Sequence, residues 1–397
     1  MISFSAVCQD NGFVNEYLQT ALKDQRLNRY QSELSFLQDN KMLPSWIRET
    51  EVRIGTEGLD NSIEDYRLRI SPSNPWEINA NKHYRNQLMS NTETRYQISL
   101  TDALLTRYNM LITSYFLTTQ ISLLQEEIDT RKNLSDQLVN ISSGDVEMED
   151  LINMEADLGK AEIKLKEYQN ELDKINSMIN NLINKEVNWA SFEFIAPATI
   201  ESILVNQDSL HDNNLYKLMV DQELLLQQSL YKVNKTEAFS NIGFFQANYE
   251  TDRGETLQEH MGIQVGITIP LANRDKADLA RDRFELIQYQ SEKERVAQEM
   301  DEELASNQMQ LNASLQLYDL VHQKLERAAL LQQDLNSTVK ASAILELESY
   351  RIELLMKQSR THQEITERFI EYLNLKGYLG NTPLVNYLSD QLTYNAE

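Results

Sequence analysis

Proline is missing from two long stretches of this chain, and the two stretches match each other. After Pro75 the next proline is Pro197, and after Pro270 the next is Pro383. A proline in a helix interior costs about 3 kcal/mol, because it removes a hydrogen bond and its ring clashes with the preceding turn. Each gap therefore permits very long helices, and the repeated pattern indicates an internal duplication.

The composition excludes several classes of function. The 397 residues carry a net charge of −24, which argues against nucleic acid as a partner because phosphates need lysine and arginine. The acidic balance suits a solvated surface or a conduit that favours cations. No apolar run reaches the length of a transmembrane helix, whereas membrane β-strands have too weak a sequence signal to be excluded this way.

Residues 1–13 are interpreted as an N-terminal segment, too short for a secretory signal and a possible remnant of one. They contain Cys8, the only cysteine, so the sequence predicts no intrachain disulfide and no cysteine-rich metal site. Two interpretations of Cys8 stay open. It is a lipid attachment site, which Val7 disfavours, or an incidental cysteine.

Residues 14–188 are predicted to form a first repeat. A helix over 14–42 precedes a β-hairpin over 46–72, and a long helical hairpin follows over 80–187 with its break at Gly144. In the β-hairpin one face is predicted to hold Trp46, Thr50, Val52, Ile54, Tyr66, Leu68 and Ile70, and the other Glu49, Glu51, Arg53, Arg67 and Arg69.

The return helix of the first helical hairpin has a sustained heptad pattern. Its apolar residues alternate steps of three and four, which predicts coiled-coil packing against a neighbouring helix. These residues are Leu151, Met154, Leu158, Ala161, Leu165, Tyr168, Leu172, Ile175, Ile179 and Leu182.

Residues 189–377 are predicted to repeat this order about 190 residues later. A helix that ends near residue 236 leads to a β-hairpin over 242–270 and a helical hairpin over 274–376. The return helix is expected to stop at Gly377, and 378–397 is interpreted as a polar, irregular C-terminal tail.

The order of these predicted elements, together with four short segments, resembles the TolC-like outer-membrane factor family. Val265–Leu271 resembles the family's junction between strand and helix, and Asn74-Pro75-Trp76 resembles the same junction in the first repeat. Ala343–Tyr350 and Met148–Glu155 resemble the entries to the two return helices. The junction positions are therefore Pro75, Trp76, Pro270 and Leu271.

The resemblance implies a mainly α fold with a membrane β-barrel part, built from duplicated α-helical hairpins and two β-hairpins. Three copies would share a twelve-stranded barrel and an α-helical tunnel as a homotrimer in the outer membrane of a Gram-negative cell, extending into the periplasm. The implied function is the passive exit duct of a tripartite efflux or type I secretion system. The implied partners are outer-membrane lipid, a periplasmic adaptor (membrane fusion protein) and an inner-membrane pump of RND or ABC type.

Two features depart from the family pattern. Without a signal sequence the chain as written is not expected to reach the outer membrane. Arg48 is predicted on the more apolar face of the first β-hairpin, where a charge in lipid costs a few kcal/mol, so it lies near an interface or that hairpin crosses less deeply.

Aromatic residues beside the strands are interpreted as interfacial girdles or as ordinary packing; they are Trp46, Tyr66, Trp76, Phe244, Phe245 and Tyr249.

Acidic residues mark the far tips of both helical hairpins, where the resemblance implies a periplasmic aperture and the adaptor contact. Repeated three times, inward-facing acids would form cation-selective rings, while the alternative is a solvated helix start that suits the helix dipole. The predicted tip residues are Gly144, Asp145, Glu147, Glu149, Asp150, Glu346 and Glu348.

The sequence predicts no enzyme, no cofactor and no metal site. The histidines lack ligand spacing, and phosphate loops and nucleophile motifs are missing from the sequence. The alternative function is a soluble coiled-coil scaffold without a pore, which explains the heptads and the charge but not the recurrence of alternating strands.

Overall fold

The structure is a computed structural model that describes residues 2–6, 12–40, 44–55, 65–140, 148–189, 192–205, 213–238, 242–250, 261–267, 276–334, 341–381, 383–389 and 392–396. Its elements, in chain order, are β1 (Ile2–Ala6), α1 (Gly12–Gln19), a 3-10 turn (Thr20–Lys23), α2 (Gln25–Asp39), β2 (Ile47–Gly55), β3 (Asp65–Pro72), α3 (Pro75–Asn140), α4 (Met148–Ile183), α5 (Pro197–Val205), α6 (Leu215–Ala238), β4 (Ile242–Glu250), β5 (Met261–Ile267), α7 (Lys276–Asp334), α8 (Ala341–Leu375) and β6 (Leu392–Ala396).

The proline pattern sets the long helices. Pro75 opens α3, which runs for 66 residues, and Pro197 opens α5. The second gap contains α7, with 59 residues, and α8, with 35. The mainly α fold class with duplicated helical hairpins and two β-hairpins is confirmed.

The prediction of a single helix over 14–42 is wrong, because the chain bends at Asp24. The backbone of Asp24 is extended (φ −64°, ψ 136°), which ends the 3-10 turn. Its carboxylate then caps α2, accepting a hydrogen bond from the backbone N–H of Arg26 at 3.1 Å. In the second repeat α5 and α6 take the places of α1 and α2, and sequence analysis did not predict α5.

The chain divides into two compact units. The first comprises residues 1–27, 97–215 and 300–397, and the second comprises 28–96 and 216–299. The second unit contains the four-stranded antiparallel sheet, in the order β2-β3-β4-β5, so the two predicted β-hairpins lie side by side in one sheet.

Within the first unit the heptad residues of α4 pack as predicted. Leu158 and Ala161 are buried against Ile128 of α3, and Leu165 packs against that cluster. Leu165 also joins a second cluster of buried residues from α3 and α8, formed by Leu124, Ile352 and Met356. The pattern ends at Leu182, which is 51% exposed.

The chain after α8 is irregular over residues 376–381 and 383–389, but its apolar side chains are buried and its end forms β6, so the prediction of a polar, irregular tail over 378–397 is only partly right. Gly377 has φ +76°, a left-handed conformation that ends a helix at little cost for glycine. Tyr378, Leu379, Tyr387 and Leu388 beyond it are buried in the first unit. At its end β6 pairs antiparallel with β1, with Ala396 opposite Ile2.

Candidate functional site

The four-stranded sheet has one polar face. Residues that lie opposite each other on neighbouring strands share a face, so the strand register assigns each side chain. One row across the sheet is Glu51, Arg69, Gln246 and Gln264, and the next is Arg53, Arg67, Asn248 and Gly262. Ion pairs join Arg53 to Glu51 at 2.6 Å and Arg67 to Asp65 at 2.7 Å.

The other face of the sheet is apolar and uncovered. Its rows are Thr50, Ile70, Phe245 and Val265; Val52, Leu68, Ala247 and Ile263; and Ile54, Tyr66, Tyr249 and Met261. Ile263 is 85% exposed, Val52 66% and Met261 63%. A contiguous apolar surface of this size is unusual on a soluble monomer and marks a contact with lipid or protein.

The sheet also has two open edges in the described part of the chain. β2 and β5 are its outer strands, and each is paired on one side only. An unpaired strand edge leaves backbone donors and acceptors that seek another strand or water.

Each hairpin contains a β-bulge at the end of the sheet where the helices begin. In the first, the register shifts between Ile47 and Glu49, which lie opposite Pro72 and Ser71. In the second it shifts between Ile242 and Phe244, opposite Ile267 and Gly266. Ile242 follows Ile47 by 195 residues and Phe244 follows Glu49 by the same 195. The duplication therefore includes the bulges.

The bulges change which residues lie on the apolar face. A bulge interrupts the alternation of side chains by one position, so Ile47, opposite Pro72, joins the rows of the apolar face. Arg48, predicted on the apolar face, is the extra residue between the paired Ile47 and Glu49, so the strand register assigns it to neither face. Phe244 in turn lies on the polar face, in line with Gly266.

The strand-to-helix junction of the first repeat is held by capping contacts. The Asn74 side-chain oxygen accepts a hydrogen bond from the backbone N–H of Trp76 at 3.0 Å, and Pro75 occupies the first helical position. Ser73 ties this end to the start of β2, since its backbone N–H donates to the carbonyl of Trp46 at 2.9 Å and its hydroxyl donates to the carbonyl of Ser45. Trp76 is 71% exposed. Pro270 and Leu271 lie outside the described residues.

The predicted tip residues are only partly described. Gly144, Asp145 and Glu147 lie outside the described residues, and Glu149 and Asp150 occupy the first turn of α4. Glu346 is exposed and Glu348 half-exposed in the second turn of α8. Their role at a periplasmic aperture or adaptor contact stays a prediction.

A buried arginine, which sequence analysis missed, joins α3 to the bend before α2. Arg107 donates to the hydroxyl and the carbonyl of Thr20 at 2.8 and 3.2 Å, to Ala103 O at 2.9 Å and to the Asp24 carboxylate at 3.2 Å. Asp24 also accepts two side-chain hydrogen bonds from Arg26, at 3.0 Å each. The bonds from Arg26, followed by the one from Arg107, hold the pKa of Asp24 well below its ordinary value.

Two further kinds of feature are absent from the described residues. Among them no group of three or more histidine, cysteine, aspartate or glutamate side chains is arranged to hold a metal ion. Of the described helices, none has a stretch both long and apolar enough to cross a bilayer.

Neither the family models nor the curated proteins compared with this chain give a match. Among the solved structures of similar fold are outer-membrane proteins. The open state of the Neisseria gonorrhoeae MtrE outer membrane channel is 10% identical, has a TM-score of 0.65, and the match covers 95% of each chain. The outer membrane protein VceC from Vibrio cholerae is 12% identical with a TM-score of 0.59, covering 92% of this chain and 95% of that one.

The Campylobacter jejuni CmeC outer membrane channel is 11% identical with a TM-score of 0.54, and the match covers 94% of this chain and 89% of that one. At these identities the likeness establishes the fold. The TolC-like fold expected from the sequence resemblance is confirmed, over nearly the whole length of each chain.

Proposed function

We propose that this protein is the outer-membrane exit duct of a tripartite efflux or type I secretion system. The observation that supports this most directly is the four-stranded sheet, with an uncovered apolar face, a charged opposite face and two open edges. In lipid, every backbone group needs a partner, so open edges must be closed by other strands. Three copies, each giving four strands, would form a closed twelve-stranded barrel with the apolar face toward lipid.

The polar face then lines the pore. Its rows hold glutamate, arginine, glutamine and asparagine, side chains that are stable against water and costly against acyl chains. The duct would be passive, with energy supplied by an inner-membrane pump of RND or ABC type through a periplasmic adaptor. Cation-selective rings and adaptor contacts would involve the hairpin tips, from Gly144 to Asp150 on one side and Glu346 and Glu348 on the other.

Two measurements on detergent-purified protein test the proposal. The protein should have a mass of about three times 46.1 kDa by light scattering after subtraction of detergent. It should also produce discrete conductance steps in a planar lipid bilayer.

A protein that stays monomeric in water without detergent and never conducts would instead be the coiled-coil scaffold. The uncovered apolar face argues against that alternative, since a soluble scaffold gains nothing from Ile263 and Val52 facing water.

A further inference from the structure

The polar face of the sheet contains one aromatic side chain, Phe244, beside a glycine. Phe244 lies opposite Gly266, one position from the bulge of the second hairpin. A Cβ atom added to Gly266 would lie 2.7 Å from Cζ and 2.8 Å from Cδ1 of the Phe244 ring. Since real Cβ atoms do not approach this closely, the ring lies against the Gly266 backbone, and a side chain at this position would displace it.

Arg69, on the neighbouring strand β3, stacks on this ring. Its guanidinium carbon lies 3.6 Å from the centre of the Phe244 ring, the geometry of a cation–π contact. A guanidinium held flat on a ring keeps its N–H edges available, and that fork fits carboxylate and phosphate oxygens.

The charge of Arg69 is poorly neutralised by its neighbours. Its ion pair with Glu51 is long, at 4.0 Å, and the same carboxylate accepts a hydrogen bond from Arg53 at 2.6 Å. Arg67, one row away, is by contrast paired with Asp65 at 2.7 Å. Arg69 is therefore the cation of this face that is held mainly by an aromatic ring, in a chain whose net charge is −24.

We propose that Arg69, positioned by Phe244 over Gly266, is a selectivity residue that favours anionic groups, such as carboxylates and halide ions, at the helix end of the sheet. This rests on the proposed function, in which the polar face lines a pore. Three copies of Arg69 would then lie at one level of the pore, so their positive charges would add there. The positive charge of Arg69 would oppose the negative charge of the acidic hairpin tips, and it would lower the cation preference of the whole duct.

The test is the reversal potential of single channels with a KCl concentration gradient between the two sides of a planar bilayer. Arg69→Gln removes the charge and keeps a polar side chain, so the permeability ratio of K⁺ to Cl⁻ should rise about twofold or more. Arg69→Lys keeps the charge and should stay near the wild-type ratio. Arg29→Gln, outside the sheet in α2, is the control for loss of an arginine and should leave the ratio unchanged.

A matched pair of glycine variants tests the positioning. Gly266→Ala displaces the Phe244 ring and should shift the ratio in the same direction as Arg69→Gln, by a smaller amount. Gly262→Ala, in the same strand and on the same face, places its Cβ 3.9 Å from Asn248 Cβ, an ordinary contact, and should leave the ratio unchanged. Phe244→Leu gives a second measurement if Gly266→Ala fails to assemble, with the same direction expected.

The outcomes separate the two proposals. Channels that conduct normally but keep the wild-type ratio in Arg69→Gln overturn the selectivity role and leave the duct intact. Equal shifts in Gly266→Ala and Gly262→Ala overturn the positioning by Phe244. A wild-type trimer that never conducts overturns the duct itself and the selectivity role with it.

Discussion

Arg107 shows how a single buried cation joins segments far apart in the sequence. Its side chain is 8% exposed and bonds to Thr20, Asp24 and Ala103, which ties α3 to the bend between α1 and α2. Buried charge of this kind is retained only where most of its donors are satisfied.

Arg107→Met should therefore lower the stability by about 2 kcal/mol, since it leaves the Thr20 oxygens and part of the Asp24 carboxylate without donors. The measurement is the thermal unfolding of helical signal by circular dichroism. Arg29→Met is the control, because it breaks the exposed pair of Arg29 with Glu33 and should not change the midpoint measurably. Equal losses in both variants would contradict this role of Arg107.

The Asp24 carboxylate predicts a loss of stability in acid. Its pKa is lowered in the folded state, so it stabilises the protein above the unfolded value of 3.8, and that contribution is lost as the pH falls toward the folded pKa. Asp24→Asn keeps a capping oxygen and removes the charge. The difference in melting temperature between wild type and variant should be largest at pH 7 and shrink below about pH 4. A difference independent of pH would contradict a role for the ionised carboxylate.

Glu367, on α8, predicts the opposite dependence of stability on pH: its contribution is favourable in acid and is lost as the pH rises. Burial raises its pKa above the ordinary 4.5, although Gln363 donates a hydrogen bond to it at 2.9 Å. The stability associated with its protonated form is present in acid and is lost as the pH rises through the folded pKa. Glu367→Gln should therefore melt higher than wild type at pH 7, with the gap closing below about pH 4. A variant less stable than wild type at pH 7 would contradict this reading.

At the scale of elements, the two faces of the sheet predict different responses to the same charge. Ile263 and Gln264 are neighbours in β5 and lie on opposite faces. In the proposed assembly Ile263→Lys places an ammonium against lipid at a cost of about 2–4 kcal/mol near mid-depth, whereas Gln264→Lys faces water in the pore. The yield of trimer on refolding into detergent should fall for Ile263→Lys and hold for Gln264→Lys. Equal yields would argue that the apolar face does not meet lipid.

Sequence analysis predicted the elements whose signal is local. The stretches without proline located α3, α4, α7 and α8, and the heptad residues located the packing face of α4. Both signals are local, because the spacing of apolar residues and the positions of proline can be taken directly from the sequence. The alternation of β2, β3 and β5 likewise predicted the two faces of the sheet.

The features that were missed depend on contacts between distant segments. Arg107 and Asp24 are 83 residues apart, and no local pattern links them. The Arg48 bulge appears only once β2 and β3 are in register, since a bulge is a property of a strand pair. Phe244 was interpreted as an interfacial aromatic or as ordinary packing, and only its pairing with Gly266 places it on the polar face.

At the scale of the molecule, the open edges predict contacts between copies of the chain. With Cys8 replaced by serine, a panel of double-cysteine variants, one residue from 49–54 and one from 261–266, should include pairs that form disulfide-linked trimers on oxidation. Leu68→Cys with Ala247→Cys is the control, because these residues are cross-strand partners within one chain and should link without changing the mass. A panel that yields only monomers would contradict closure through these edges.

The pairing of β1 with β6 has a practical consequence. Because Ile2 lies opposite Ala396, the N- and C-terminal ends of the described chain are neighbours, separated by the short distance between adjacent strands. A peptide linker of a few residues would therefore suffice to join them into a circle. The cyclic protein should keep its fold. Opening its backbone at other positions would give circular permutants, and those that fold would show where the chain tolerates a break.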